Sequence, residues 1–333
     1  MNLTRLAALT QAQLETEVAR ARTQTQFGRL PDYVPLLAKA NPEWVAVWVQ
    51  PLHGSICAAG DVHQPFVLMS VVKPLLLLFL LEQLGQRTVF ARVGMEPSDQ
   101  SFHSLSQLQV DRGFPRNPML NSGAIALADL LPGRDGTSRC EMLRRWLNQI
   151  SGSQLVLDEP VLASVRSLPN ETNRAIANLL AESGHLDSIE TALDTYNQIC
   201  CLSGTVEDLA KLGVVLAGGI RGSRGVGEEV LPQTQNSNQN SKLKTQNSPP
   251  TSQNLRVVNA LMLTCGLYEF SGRFAVRVGL PTKSGVSGAL LSVVPGQGAI
   301  ACYSPAINAT GNSVAGLYLL EQLAQTLNLS IFV

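Results

Sequence analysis

Apolar and polar positions divide the chain into a helical middle and two strand-forming ends. Met1–Gln26 carries charges throughout a helical apolar spacing and predicts an amphipathic helix. Trp44–Val49 (WVAVWV) predicts a buried strand, Pro51–Gly54 a turn, and Ser55–Ala59 the returning hairpin strand. Asp61–Pro65 reads as a loop, and a helix is predicted from about Ser70 to Leu84. Between about 98 and 217, helical spacing or caps mark Asn121–Leu131, Glu141–Gly152, Asn173–Glu182 and Val206–Leu216. Leu231–Asn254 (LPQTQNSNQNSKLKTQNSPPTSQN) has no core positions and predicts a disordered polar insertion. Strands return at Phe274–Val278, Gly288–Val294 and Ala299–Tyr303, before a closing amphipathic helix over Asn312–Leu327. Strands at both ends with helices between predict an α/β (α+β) fold, an antiparallel sheet built from both chain ends with an inserted helical subdomain. The expected organisation is an N-terminal helical segment (1–30) followed by one domain (31–333).

Composition narrows the function classes. The 333 residues are 45% hydrophobic, enough for a sizeable core, and only 15% charged. Lys+Arg and Asp+Glu are both 25, so the basic excess of a nucleic-acid binder is missing. The most apolar stretch, Phe66–Leu81, is shorter than the ~20 residues of a membrane span and carries Lys73, which predicts a core helix. No secretory signal is read at the N-terminus, and a cytoplasmic location is expected. The six cysteines fit no zinc spacing, Cys200–Cys201 is a vicinal pair, and the four histidines form no H-x-x-x-H pair. Reduced thiols and a chemistry without metal or organic cofactor are therefore expected.

Three segments could carry chemistry. Ser70-Val-Val-Lys73 places a hydroxyl and an amine on one helical face. Apolar surroundings favour the neutral amine, which can take a proton from the serine. The alternative is an ordinary helix with a snorkelling lysine. Ser241–Lys244 repeats the pattern by chance inside the polar run. Pro74 suits a first helical turn, which leaves the backbone N–H of Ser70 free for an oxyanion. Lys283-Ser284-Gly285 precedes an apolar strand; it could bring a positive charge and a close strand edge to a substrate, or simply start the strand. In Asn117–Ile125, an asparagine either caps a helix or points its amide at a polar ligand.

Together these segments resemble the serine-dependent glutaminase family, which has a β-lactamase/transpeptidase-like fold. The resemblance runs from about Tyr33 to Glu321. It includes Asp32–Pro35, Ser70–Pro74, Arg92–Ser98, Asn117–Ile125, Thr264–Tyr268, Val278–Val286 and Gly311–Ser313. The resemblance implies Ser70 as nucleophile, Lys73 as its general base and Tyr268 as a proton relay. It implies glutamine contacts at Tyr33, Asn121, Asn173, Tyr196, Tyr268 and Val286. Seven residues before the matching asparagine the family carries a substrate-binding glutamate, whereas Asn173 counts back to Arg166. Either a shifted Glu171 takes that role or the contact is absent. Asp99 and His103 replace the usual Gly and Asn.

The expected activity is hydrolysis of L-glutamine to L-glutamate and ammonia through an acyl-Ser70 ester. L-glutamine is the expected small-molecule partner, with no nucleic acid and no membrane, and the resemblance implies a homo-oligomer (dimer or tetramer). Two other classes remain open: another acyl-serine hydrolase of the penicillin-recognising fold (amidase or esterase), and a non-catalytic amino-acid-binding module.

Overall fold

The computed structural model describes residues 5–32, 34–98, 100–218 and 249–332. Tyr33, Asp99, Ser241–Lys244 and positions 231–248 of the expected insertion lie outside them.

The strands are β1 (Ala46–Pro51), β2 (Cys57–Gly60), β3 (Phe66–Val67), β4 (Val156–Leu157), β5 (Leu202–Gly204), β6 (Thr282–Ser284), β7 (Ala289–Val294) and β8 (Gly298–Tyr303). The helices are α1 (Gln11–Arg22), α2 (Lys73–Phe90), α3 (Leu105–Val110), α4 (Asn121–Asp129), α5 (Gly136–Ser151), α6 (Glu159–Arg166), α7 (Glu171–Glu182), α8 (Ile189–Cys200), α9 (Val206–Leu216), α10 (Ser252–Cys265), α11 (Ser271–Arg277) and α12 (Val314–Leu327). The main sheet has the order β2-β1-β8-β7-β6, with every pairing antiparallel. Its centre joins the two chain ends, Ala46 lying opposite Tyr303.

Alternation along the strands assigns two cores. Ala289, Leu291, Val293, Ala299, Ala301 and Tyr303 face the core shared with α2, α4, α5, α8 and α9. Val47, Val49, Leu290, Val294, Ile300 and Cys302 face the other core, with Leu14 and Val18 of α1 and Leu319 and Leu323 of α12. Because both faces are covered, β7 and β8 read as continuous apolar runs rather than alternating ones. The N-terminal segment thus shares a core with the last helix.

The structure departs from the sequence expectations at four places. The N-terminal helix is divided: a 3-10 turn, Arg5–Ala8, precedes α1. Thr10 is extended there and caps α1 reciprocally with Gln13. Phe274–Val278 is not a strand but part of α11 and its end. Phe274 and Val278, four apart, are buried while Val276 between them is 90% exposed, which is a helical period. The helical subdomain gives up its last element, since α9 lies on the main sheet; a Cβ on Gly213 would come within 2.5 Å of Ala299 Cβ. Finally, the polar insertion does not extend to 254. Thr251 caps α10, and the buried Glu82 Oε1 of α2 accepts from Thr251 N and Asn254 Nδ2, each at 2.8 Å. Composition pointed to disorder because these polar residues bury their hydrogen bonds rather than apolar surface.

Helix α2 is apolar on all sides, as a core helix should be. Each of Leu75 to Leu81 is at most 3% exposed. Met69–Phe90 is long and apolar enough to cross a membrane by length and composition, but 78% of that window is buried inside the protein. Its helical geometry breaks at Gly85 (φ 78°), where the sequence had placed the end of the helix.

Candidate active site

A second, small sheet of order β3-β5-β4 delivers the nucleophile candidate. After β3 the chain enters a 3-10 turn, Met69–Val72, that leads directly into α2, so Ser70 and Lys73 are separated by one turn. Pro74 occupies the first turn of α2, where no N–H is needed. Ser70 is 5% exposed and Lys73 1%.

Burial lowers the pKa of Lys73 to about 7, with the nearby Cys200 thiol opposing weakly. Lys73 Nζ donates to Met119 O (3.0 Å) and Asn121 Oδ1 (2.8 Å). A neutral amine has two N–H bonds and one lone pair. Both hydrogens are engaged here, which leaves the lone pair as the proton acceptor. The Tyr268 hydroxyl lies near Ser70 and donates to Ser284 O, and among the described residues no hydrogen bond links Ser70 Oγ to Lys73 Nζ. Catalytic hydrogen bonds commonly tighten only once substrate is bound.

Asparagines organise the opposite wall. Asn117 Oδ1 accepts from Met119 N (3.0 Å) and Leu120 N (3.2 Å), and its Nδ2 donates to Glu96 O (2.7 Å). Asn117 therefore shapes the turn that offers Met119 O to Lys73. Four residues on, Asn121 opens α4 and turns its amide inward. Its Oδ1 also accepts from Tyr196 Oη (3.1 Å), and its Nδ2 donates to Asn173 Oδ1 (2.9 Å). Helix α4 has Leu120 at its N-cap and no side-chain cap, so Asn117 braces the preceding turn rather than capping the helix.

These groups surround a cavity of about 510 Å³. Of the expected glutamine contacts, Asn121, Asn173, Tyr196 and Val286 line it together with Ser70, and Tyr268 is not among the lining residues. Tyr268 stands behind Ser70, its Oη donating to Ser284 O (3.2 Å), and burial raises its pKa. The backbone amides of Ser70 and Val286 have no hydrogen-bond acceptor among the described residues. The described lining residues include no carboxylate. Arg166 turns away from the cavity and pairs with Asp194 at 2.5 Å, so it does not repel a ligand there. Glu171 is exposed in the first turn of α7, outside the lining, where a carboxylate favours the helix dipole.

Of the two readings for Lys283, the structure shows the second: it lies in β6, at the start of the strand pair with β7. It is fully buried beneath the Tyr268 ring (4.5 Å to the centroid) and donates to Gly266 O (3.0 Å) and Ser284 O (2.6 Å). Desolvation holds its pKa well below that of free lysine, and the side chain lies outside the cavity lining. The close approach allowed by Gly285 is to the nucleophile turn: a Cβ there would lie 2.6 Å from Leu68 O. Sequence reasoning missed Phe102 and Cys200 as lining residues. Cys200 was within reach, because it follows Tyr196 by four on α8 and shares its face. Desolvation keeps its thiol protonated, with a pKa of about 11.

The glutaminase family model matches residues 28–332. A glutaminase of Synechocystis sp. is 42% identical over 98% of this chain and 92% of its own length. One from Shewanella amazonensis is 37% identical over 97% of this chain and all of its own. The structure is similar to a probable glutaminase from Bacillus subtilis complexed with 6-diazo-5-oxo-L-norleucine (TM-score 0.82, 31% identity, 97% of each chain). It is also similar to the B. subtilis glutaminase in its covalent complex with 5-oxo-L-norleucine (TM-score 0.80, 31% identity, 97% of this chain and 99% of that one).

Proposed function

The chain belongs to the glutaminase family, with its β-lactamase-like fold, and from that premise we propose that it hydrolyses the side-chain carboxamide of L-glutamine to L-glutamate and ammonia. Ser70 Oγ attacks the amide carbon and its proton passes to the lone pair of Lys73. The amides of Ser70 and Val286 hold the oxyanion, a contribution of about 3 kcal/mol per donor in comparable hydrolases. The C–N bond breaks as the nitrogen takes a proton from Lys73, directly or through Tyr268, and ammonia leaves. Water, deprotonated by Lys73, then cleaves the γ-glutamyl ester and Ser70 regains its proton. Asn121, Asn173 and Tyr196 orient the substrate.

The observation that carries this mechanism is the paired engagement of Lys73 Nζ by Met119 O and Asn121 Oδ1, which fixes a buried amine with its lone pair free. Support for the substrate comes from the B. subtilis relative, whose covalent ligand carries a ketone at the carbon corresponding to the glutamine carboxamide. Ammonia release from glutamine by purified protein tests the reading, with Ser70→Ala losing at least about 10³-fold in kcat. Retention of wild-type turnover by that variant overturns the nucleophile assignment. The same proposal covers 31–333 as one catalytic domain, a cytoplasmic location and a homo-oligomer, the last supported by the family resemblance alone.

A further inference from the structure

Five non-glycine residues among those described have positive φ. Asn170 and Asn328 are of the type that tolerates this conformation, and Arg112 sits in an exposed turn beside Gly113. Met69 (φ 46°) and Tyr268 (φ 58°) are different: both are buried, Met69 precedes Ser70 in the chain, and Tyr268 lies near it in space. A long side chain in the left-handed region persists only where its surroundings force it.

The surroundings of Met69 are restrictive. Leu68 N donates to Leu202 O of β5 at 2.7 Å, and Val71 N returns to Leu68 O at 3.0 Å. On the other side Gly285 packs so closely that a Cβ would meet Leu68 O at 2.6 Å and Val71 Cγ2 at 3.1 Å. The turn is clamped between β5 and the segment that carries Val286. Its left-handed residue is the one whose dihedral sets where the next amide and hydroxyl point.

We propose that Met69 is a positioning residue: its left-handed backbone, held by this clamp, aims the Ser70 amide and hydroxyl into the cavity opposite Val286. The inference rests on Ser70 being the nucleophile. Relaxing residue 69 leaves substrate binding in place and slows the attack.

Two matched pairs of variants test this. Met69→Ala and Met69→Gly both remove the side chain and differ only in backbone freedom. Met69→Gly is expected to melt at or above the temperature of Met69→Ala, yet to show kcat at least tenfold lower with KM within about twofold. Met69→Leu and Met69→Val keep bulk at the site, and valine resists positive φ more strongly. Here Met69→Val is expected to fall at least tenfold below Met69→Leu in kcat. Equal kcat within each pair overturns the proposal. A wild-type protein that releases no ammonia from glutamine overturns the functional reading instead, and positioning is then read from the acylation burst with p-nitrophenyl acetate across the same pairs.

Discussion

Asn121 Oδ1 accepts a hydrogen bond from Lys73 Nζ at 2.8 Å, so a neutral amide from α4 sets the orientation of the amine that opens α2. Asn121 lines the cavity and Lys73 lies buried behind it, where desolvation lowers the lysine pKa to about 7. Only the unprotonated amine accepts a proton, so kcat/KM is expected to rise with pH through an apparent pKa near 7 to an alkaline plateau. A profile flat from about pH 6 to 9 removes Lys73 from the role of base.

Replacing that amide by a carboxylate gives a sharper test. In Asn121→Asp a negative charge beside Lys73 favours the ammonium form and raises its pKa. The acid limb of the profile is expected to move at least about one unit to higher pH, with activity at pH 7 reduced tenfold or more. An unshifted limb with lower kcat assigns Asn121 to substrate contact alone.

Arg166 is expected to be nearly silent. Its partner Asp194 lies outside the cavity lining, and the two side chains are 46% and 37% exposed. Such pairs contribute under about 1 kcal/mol. Arg166→Ala should leave KM for glutamine within about threefold, measured by steady-state ammonia release. A KM change of tenfold or more in either direction places the guanidinium in the substrate's field after all.

Glu82 is expected to matter for stability and not for chemistry. Its buried carboxylate accepts from Thr251 N, Thr251 Oγ1 and Asn254 Nδ2. Glu82→Ala strands these donors and should cost about 2–4 kcal/mol of unfolding free energy in a denaturant titration. A change below about 0.5 kcal/mol would mean that water replaces the carboxylate at no net cost.

Much of this architecture was legible from the sequence because its signals are local. β-branched and apolar runs marked β1, β7 and β8, and the spacing of Ser70 and Lys73 placed both on one turn. What escaped depends on partners distant in sequence. The short strands β3, β4 and β5 have two or three residues each and exist only through one another. Phe274–Val278 carries apolar residues compatible with either period, and packing in the second core decides for a helix. The sequence left Lys283 open between a cation for the substrate and the start of a strand, because it does not show that Tyr268 closes over the amine. The partner of Arg166 is Asp194 on α8, a residue that no local pattern links to α6.

The central pairing of β1 with β8, Ala46 opposite Tyr303 and Pro51 opposite Gly298, has a consequence for biosynthesis. On the ribosome β1 emerges when almost the whole chain is still to be translated, and its inner edge waits for a strand made near the end. During that interval the leucine-rich α2 has only part of the covering it has in the finished fold. A nascent chain stalled before Gly298 keeps Ser70 and Lys73 but lacks the strand against which the sheet closes. Catalytic competence therefore arrives late, with the last stretch of polypeptide.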